Sequence, residues 1–498
     1  MSDREKRIFR GEDVDLDSVL IDPACVVKIP AALALRKMVL PLCSIGGTFH
    51  VATGDTTDDT AIAAIERETS MAVVTHSADP MQLREHLLKV YGDARGNSGM
   101  PAPGKTDDPV AIVDELLRTA LLRHSSDIHF DPEATSVRVR FRTDGQLEEV
   151  MRIPSSLQAS VVSRLKVMSE MDIAEKRAPQ DGAFTWRASG AQRLPPLDVR
   201  CATLPVRHGE RVTLRLLETE AERLELDSLG FSKKDAATFD DILSQPHGLV
   251  LLTGPTGSGK TTTLYAAIRR LLSLHEMNVL TVEDPVEYEI PGVSQAEVDS
   301  SDKVNFSKAL KSLLRHDPDA IMIGEIRDGE SLDTAVKAAM TGHLVFSTLH
   351  ANDATTSVAR LKDMGLEPHL VAATLRLSVA QRLVRSLCPE CRIRRAATSA
   401  EALALGAGDG EGFSVWEKCG CLACAGRGFR GRTGIFEMFR PDRDIAALIA
   451  SGAAENEIFD LAREKGMRTL REDACEKCFS GVTSAGEVLR TLGGVLRG

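Results

Sequence analysis

An α/β multidomain chain built around a parallel sheet is the fold class the sequence predicts, and three observations predict it. Residues 249–253 are a short apolar run, followed by a glycine-rich turn and then, from Thr261 onward, by the apolar spacing of a helix. Three later apolar runs, 279–282, 320–323 and 344–349, each end in polar groups and are separated by helical stretches, the pattern of parallel strands. The 498 residues hold no run of about 18 apolar ones, so the length is spent on several globular domains.

The N-terminal stretch, residues 1–92, reads as a small α/β module. Strands are expected at 26–29 and 49–51, a helix over DTTDDTAIAAIERETS, a strand at MAVVTH and a closing helix over DPMQLREHLLKVYG. Asp55, Asp58 and Asp59 suggest either metal ligands or an acidic first turn that satisfies a helix dipole, and the second is the simpler reading. Residues 93–108, DARGNSGMPAPGKTDD, have the composition of a flexible linker. The opening residues lack the apolar core of a signal peptide, so a cytoplasmic location is expected. A net charge of −11 argues against a broad nucleic-acid footprint.

A second module, 109–225, opens with an amphipathic helix and the strand SDIHFDP. The hairpin SVRVRFRTDGQLEEVM follows, with Arg138, Arg140 and Arg142 on one face. Arg200, Arg207, Arg211 and Arg215 recur near later strand ends. A solvated strand edge explains such a face, and so does an anion site, because the arginine fork binds oxygens two at a time.

The core, 226–385, holds Gly254, Pro255, Thr256, Gly257, Ser258, Gly259, Lys260, Thr261 and Thr262, the complete phosphate-loop pattern between a strand and a helix. The glycines let successive N–H groups face inward, Lys260 reaches the β- and γ-phosphates, and Thr261 ligates Mg²⁺. A nucleoside triphosphate is the expected ligand. Farther on, Cys388-x-x-Cys391 and Cys421-x-x-Cys424 are paired knuckles with the spacing of a tetrahedral Zn²⁺ site, here within 386–435. Four thiolates leave no open position, which makes the metal structural. Cys419 is a spare thiol beside them. Cys475 and Cys478 sit in a helical run without a partner pair and read as ordinary helix residues of the C-terminal segment, 436–498.

VEDPVEY, DAIMIGEIRD and TGHLVFSTLH resemble the Asp box, Walker B and His box of the type II secretion/type IV pilus ATPase superfamily. SSDIHF, RAPQDG, DVRCATLP and HGERV look like that superfamily's second N-terminal domain, in the same order. The resemblance spans about residues 110–495 and is strongest to the GspE/PilB family. It implies a RecA-like ATPase core preceded by a PAS-like second N-terminal domain, with the zinc finger and C-terminal helices behind.

The same resemblance implies ATP, Mg²⁺ and Zn²⁺ as cofactors and a homo-hexamer at the cytoplasmic face of the inner membrane. Its expected partners are the cytoplasmic domain of a GspL-like protein and a GspF-like platform protein, and nucleic acid is not among them. Glu325 would stand near Mg²⁺, and Glu283 competes with it for orienting the attacking water. His343 and His350 match the His-box residues that sense nucleotide, and Arg200 and Arg215 match arginines lent to the nucleotide. Arg315 keeps a family arginine, while Lys308, Lys311 and Ala183 stand where arginine is usual, so each of those contacts is in doubt. The finger points to secretion or pilus extension rather than retraction. The N-terminal module lacks the RLG-type repeats with which some relatives bind cyclic di-GMP, so that ligand is not expected.

Overall fold

The computed structural model describes residues 9–10, 13–26, 28–91, 108–123, 125–187, 196–217, 225–298, 306–405 and 413–493. All of the linker expected at 93–108 except Asp108 lies outside them. Asp108 caps the helix Pro109–Leu122 by accepting from the Val110 N–H at 3.0 Å. Two compact units result. One comprises Met1–Glu218, Leu387–Ile393 and Glu417–Gly431; the other comprises Thr219–Ser386, Arg394–Trp416 and Arg432–Gly498.

In the first unit, a three-stranded sheet runs in the order Val39–Ile45, Thr48–Thr53, Ala72–Ser77. Residues 26–29 do not form the expected strand. Asp22 begins a helical turn, Pro23–Val26, accepting from the Ala24 N–H through its side chain and from Cys25 and Val26 through its carbonyl. An Asx-Pro start of this kind outweighs a β-branched run. The strand Val39–Ile45 was not expected, because Pro41 interrupts its pattern; the ladder absorbs it with a register shift between Pro41 and Cys43. Asp58 caps the helix Asp59–Thr69, and Asp55 accepts from the Thr57 N–H, so these acids close turns as the simpler reading held.

The arginine-bearing module of the same unit is a six-stranded antiparallel sheet. Its order is Gln146–Pro154, Ser136–Thr143, Ser125–Pro132, Gly209–Leu217, Leu197–Val206, Gln180–Trp186. Asp144 and Gly145, with φ of 48° and 82°, make the two-residue turn of its first hairpin. One face buries Phe130, Val139, Phe141, Val199 and Leu214, and the other carries the charges. The cysteine-bearing segments join this unit through the N-terminal module. Cys388, Leu422, Ala423, Cys424 and Ala425 share an apolar core with Leu40, Leu42, Phe49 and Leu87, and the Leu20 N–H donates to the Leu422 carbonyl at 3.3 Å.

The second unit holds, apart from the strand-end residues Leu387 and 429–431, a seven-stranded sheet in the order Val293–Glu297, Val279–Glu283, Ala320–Ile323, Leu344–Leu349, Gly248–Thr253, Leu375–Leu387, Phe429–Phe439. The pairings from Val293–Glu297 through Leu375–Leu387 are all parallel. Helices cover its strands, which explains why Gly248–Thr253 and Leu344–Leu349 are buried at every residue. Four helices, Arg443–Ala450, Glu455–Glu464, Leu470–Phe479 and Ala485–Leu492, complete the unit. Cys475 and Cys478 are buried on the third, the Cys475 thiol donating to the Leu405 carbonyl at 3.1 Å. Among the described residues no helix is long and apolar enough to cross a membrane.

Candidate functional site

The strand Gly248–Thr253 delivers the chain into a loop whose turns need glycine. Gly254, Gly257 and Gly259 have φ of 150°, 76° and 86°. A Cβ at Gly254 would stand 2.6 Å from the Gln381 carbonyl and from the Ser258 hydroxyl, so no larger residue fits. Gly259 caps the helix Lys260–Leu274 without any side-chain bond, leaving the first-turn N–H groups to a ligand. Lys260 Nζ folds back onto the carbonyls of Gly254 and Pro255 at 2.8 and 3.1 Å. Burial, together with the positive charge of Arg382 close by, pushes its ammonium down to about 8. Ser258 Oγ is buried with no hydrogen-bond partner among the described residues. Open first-turn donors, a cation held by loop carbonyls that a phosphate can replace, and an orphaned hydroxyl fit a polyphosphate. Pro255 and Thr256 are exposed at the turn, and Thr261 and Thr262 are half-buried on the first helical turn.

Two floor residues of this loop were not foreseen. The strand Leu375–Leu387 pairs in parallel with Gly248–Thr253, placing Thr253 opposite Ala380 and bringing Gln381 and Arg382 under the loop. Gln381 accepts from the Thr263 hydroxyl at 2.9 Å, and the buried Arg382 donates to the carbonyls of Gln381 and Asn352 at 2.9 and 2.8 Å. Only the pairing of strands more than a hundred residues apart reveals them.

The parallel register brings the ends of four strands, and with them the loop, Glu283, Glu325 and His350, to one edge. Glu325 is partly open there. Its Oε2 lies 3.7 Å from His350 Nε2, its Oε1 meets the Arg327 guanidinium, and Arg327 also reaches Asp284 Oδ2 at 3.2 Å. Glu283 is built differently. Its carboxylate is 2 % exposed and accepts from the hydroxyls of Tyr265 and Thr281 and from Gln295 Nε2. His343 does not share this edge. It precedes Leu344–Leu349, its carbonyl accepting from the Gly248 N–H at 3.1 Å, and its Nδ1 bonds the Ala338 carbonyl at 2.9 Å. A six-residue strand then separates it from the loop, roughly 20 Å at about 3.3 Å per residue.

In the first unit, Arg200 and Arg215 face each other directly across two strands, and the row continues on either side. Ala183 stands opposite Arg200, Asp127 opposite Arg215, and Arg142 opposite Asp127. Asp127 takes Arg215 Nε at 3.3 Å and Arg142 Nε at 3.6 Å. Asp131 pairs Arg140 and Arg211, and Glu133 pairs Arg138, so the basic face read from the hairpin is a ladder of alternating charge. Asp127 is thus shared by Arg215 and Arg142, and Arg200 stands beside Arg215 in the same cross-strand row. Ala183 removes a further cation from that row. Among the core's family positions, Arg315 and Lys308 are exposed and Lys311 pairs with Glu330 at 2.7 Å.

The sulfurs of Cys388, Cys391, Cys421 and Cys424 lie within 4.8 Å of one another, with three separations of 3.8 Å. A tetrahedron with bonds of about 2.3 Å has edges of roughly 3.8 Å, so the four positions fit a zinc-sized ion. Hydrogen bonds from Cys388 and Cys421, joined by the N–H groups of Cys421 and Gly428, hold the Cys424 thiol well below its ordinary range. Cys419 is exposed and outside the cluster.

The chain resembles known proteins along most of its length. Residues 105–490 match the family model described as type II/IV secretion system protein, and residues 9–97 match that of the MshEN domain. The chain is 47 % identical over 381 residues to the type II secretion system protein HxcR of Pseudomonas aeruginosa, covering 76 % of each. It is 38 % identical over 503 residues to the type IV pilus assembly ATPase PilB of Myxococcus xanthus, covering 96 % of this chain and 88 % of that one. A crystal structure of the pilus retraction motor PilT with bound ADP aligns with a TM-score of 0.52 at 25 % identity, over 76 % of this chain and 96 % of that one.

Proposed function

This chain belongs to the type II/IV secretion system ATPase family, and from that premise we propose that it is the hexameric motor that powers pseudopilus assembly and protein export by a type II secretion system. The chain is an ATP hydrolase of that family. The observation that carries the reading is the sheet edge on which the glycine-rich loop, Lys260, Glu325 and His350 converge. The loop N–H groups and Lys260 hold the β- and γ-phosphates. The Thr261 hydroxyl and Glu325 would hold Mg²⁺, which when bound neutralises charge between the phosphates. Glu325, the more open carboxylate, orients the attacking water, and His350 beside it reports the state of the phosphate. Glu283, closed in by three donors, fixes the shape of the edge. Arg200 and Arg215 supply the cations for charge that grows during cleavage, so turnover waits on domain closure.

Cys388, Cys391, Cys421 and Cys424 hold a structural Zn²⁺. The protein works in the cytoplasm, peripheral to the inner membrane. Its N-terminal module docks on the cytoplasmic domain of a GspL-like protein, and its ring pushes on a GspF-like platform. The long alignment to PilB, which runs through the N-terminal module as well, favours one second reading, pilus assembly. Turnover of the purified chain is measured with a GspL-like domain and acidic phospholipid, and separately with DNA. Stimulation by the former alone is expected; stimulation only by DNA would overturn the reading.

A further inference from the structure

Helix Lys260–Leu274 starts on the residue that holds the phosphates and ends far from them, and one of its faces is fastened to the Asp box. Tyr265, five residues after Lys260, is fully buried. Its hydroxyl donates to Glu283 Oε2 and accepts from the Glu287 N–H at 3.3 Å, so a single oxygen ties both ends of the segment 283–287 to the helix. One turn later, Arg269 reaches the Tyr288 hydroxyl at 3.3 Å, and the Tyr265 and Tyr288 rings meet edge to face at 4.6 Å. The other oxygen of Glu283 takes Thr281 Oγ1 at 2.7 Å and Gln295 Nε2 at 3.1 Å. Gly324, the residue before Glu325, packs on the Glu283 main chain, where a Cβ would approach the Glu283 Cα to 3.4 Å.

We propose that Tyr265 is a positioning residue for ATP cleavage: through Glu283 it locks the Asp box, and with it Glu325, to the helix that carries the phosphate-binding lysine. The proposal rests on the ATPase reading given above. A buried carboxylate with three donors has one arrangement only, because each lost donor leaves a desolvated oxygen short of a partner. Phosphate that pulls on Lys260 therefore moves the helix and the Asp box together, and Glu325 keeps its distance from the reacting phosphorus. Tyr265 touches no phosphate itself, so its loss lowers the rate and spares binding.

Tyr265→Phe keeps the ring and removes the bond. Its kcat is expected to fall roughly ten- to a hundredfold while KM for ATP changes less than about twofold. Thr281→Val removes a different donor to the same carboxylate, so it carries the test if Tyr265→Phe melts early; a several-fold loss in kcat alone is expected. The double variant Tyr265→Phe, Glu283→Gln should be no slower than Glu283→Gln within about threefold, because the hydroxyl acts only through that carboxylate. Wild-type kcat in both single variants, multiplying losses in the double variant, or a change confined to KM would overturn the proposal. Lys260→Ala, run alongside, separates the two levels: if it still hydrolyses ATP the ATPase reading fails, and if it is dead while Tyr265→Phe is normal only the positioning role fails.

Discussion

The phosphate loop and the four-cysteine cluster solve opposite problems. The loop, residues 254–262, is one continuous stretch that offers mostly main-chain donors, uses positive-φ glycines to turn them inward, and leaves Lys260 resting on the loop's own carbonyls. The cluster joins two pairs of side chains 33 residues apart, and its Cys388 and Cys424 are part of the core under the N-terminal module. A ligand enters and leaves the first site with no apolar core at stake. An ion in the second holds a core together. The first is a place for turnover and the second a fastening.

The widest separation between them comes from removing each in turn. Lys260→Ala is expected to lower ATP turnover by about a thousandfold or more, read as phosphate release, while the melting temperature moves by less than about 2 °C, since its ammonium bonds only the loop's own carbonyls. Strong chelation, or Cys388→Ser, is expected to do the reverse. The purified chain should carry about one zinc, and its loss should cost the N-terminal module several kcal/mol, seen as early proteolysis within residues 13–91, while nucleotide binding survives. A metal-free chain that melts like the wild type would erase the contrast.

A smaller effect comes from pH. Lys260 with a pKa near 8 is charged at pH 7 and mostly neutral at pH 9, and bound phosphate favours the charged form. Affinity for ATP is therefore nearly full at pH 7, about half at pH 8 and lower above, so KM should rise about tenfold between pH 7 and pH 9 while zinc content stays constant. A flat KM between pH 7 and 9 would show that the ammonium is not drawn on. The least change is expected from Cys419→Ser: zinc and stability should hold within about 0.5 kcal/mol, because that thiol is exposed and outside the cluster.

Much of this was legible because the motifs are local. Glycine spacing alone names the loop, and the C-x-x-C pairs name the metal ligands, since backbone freedom and ligand type are properties of single residues. The strands ending in Glu283, Ile323 and Leu349 are readable as apolar runs. What escaped depends on contacts between distant segments. Gln381 and Arg382 gain their role only when strand Leu375–Leu387 lies beside the loop strand. The burial of Glu283 follows from Tyr265 on a neighbouring helix, and His343, the histidine of the TGH signature, falls at the far edge because strand direction, not proximity in the chain, decides which strand end faces the loop. The union of the cysteine knuckles with the N-terminal module joins segments more than 300 residues apart and leaves no trace in either one. Local rules also misled at residues 26–29, where the cap formed by Asp22 outweighed the β-branched side chains, and at Val39–Ile45, where the ladder absorbs Pro41.

In the mechanism we propose, cleavage of the triphosphate held by Lys260 needs the cations of the arginine row. The direct test is steady-state turnover of the double variant Arg200→Ala, Arg215→Ala at saturating Mg-ATP, with nucleotide binding measured on the same sample. A fall in kcat of roughly a thousandfold with binding retained is expected; turnover within about twofold of wild type would contradict it.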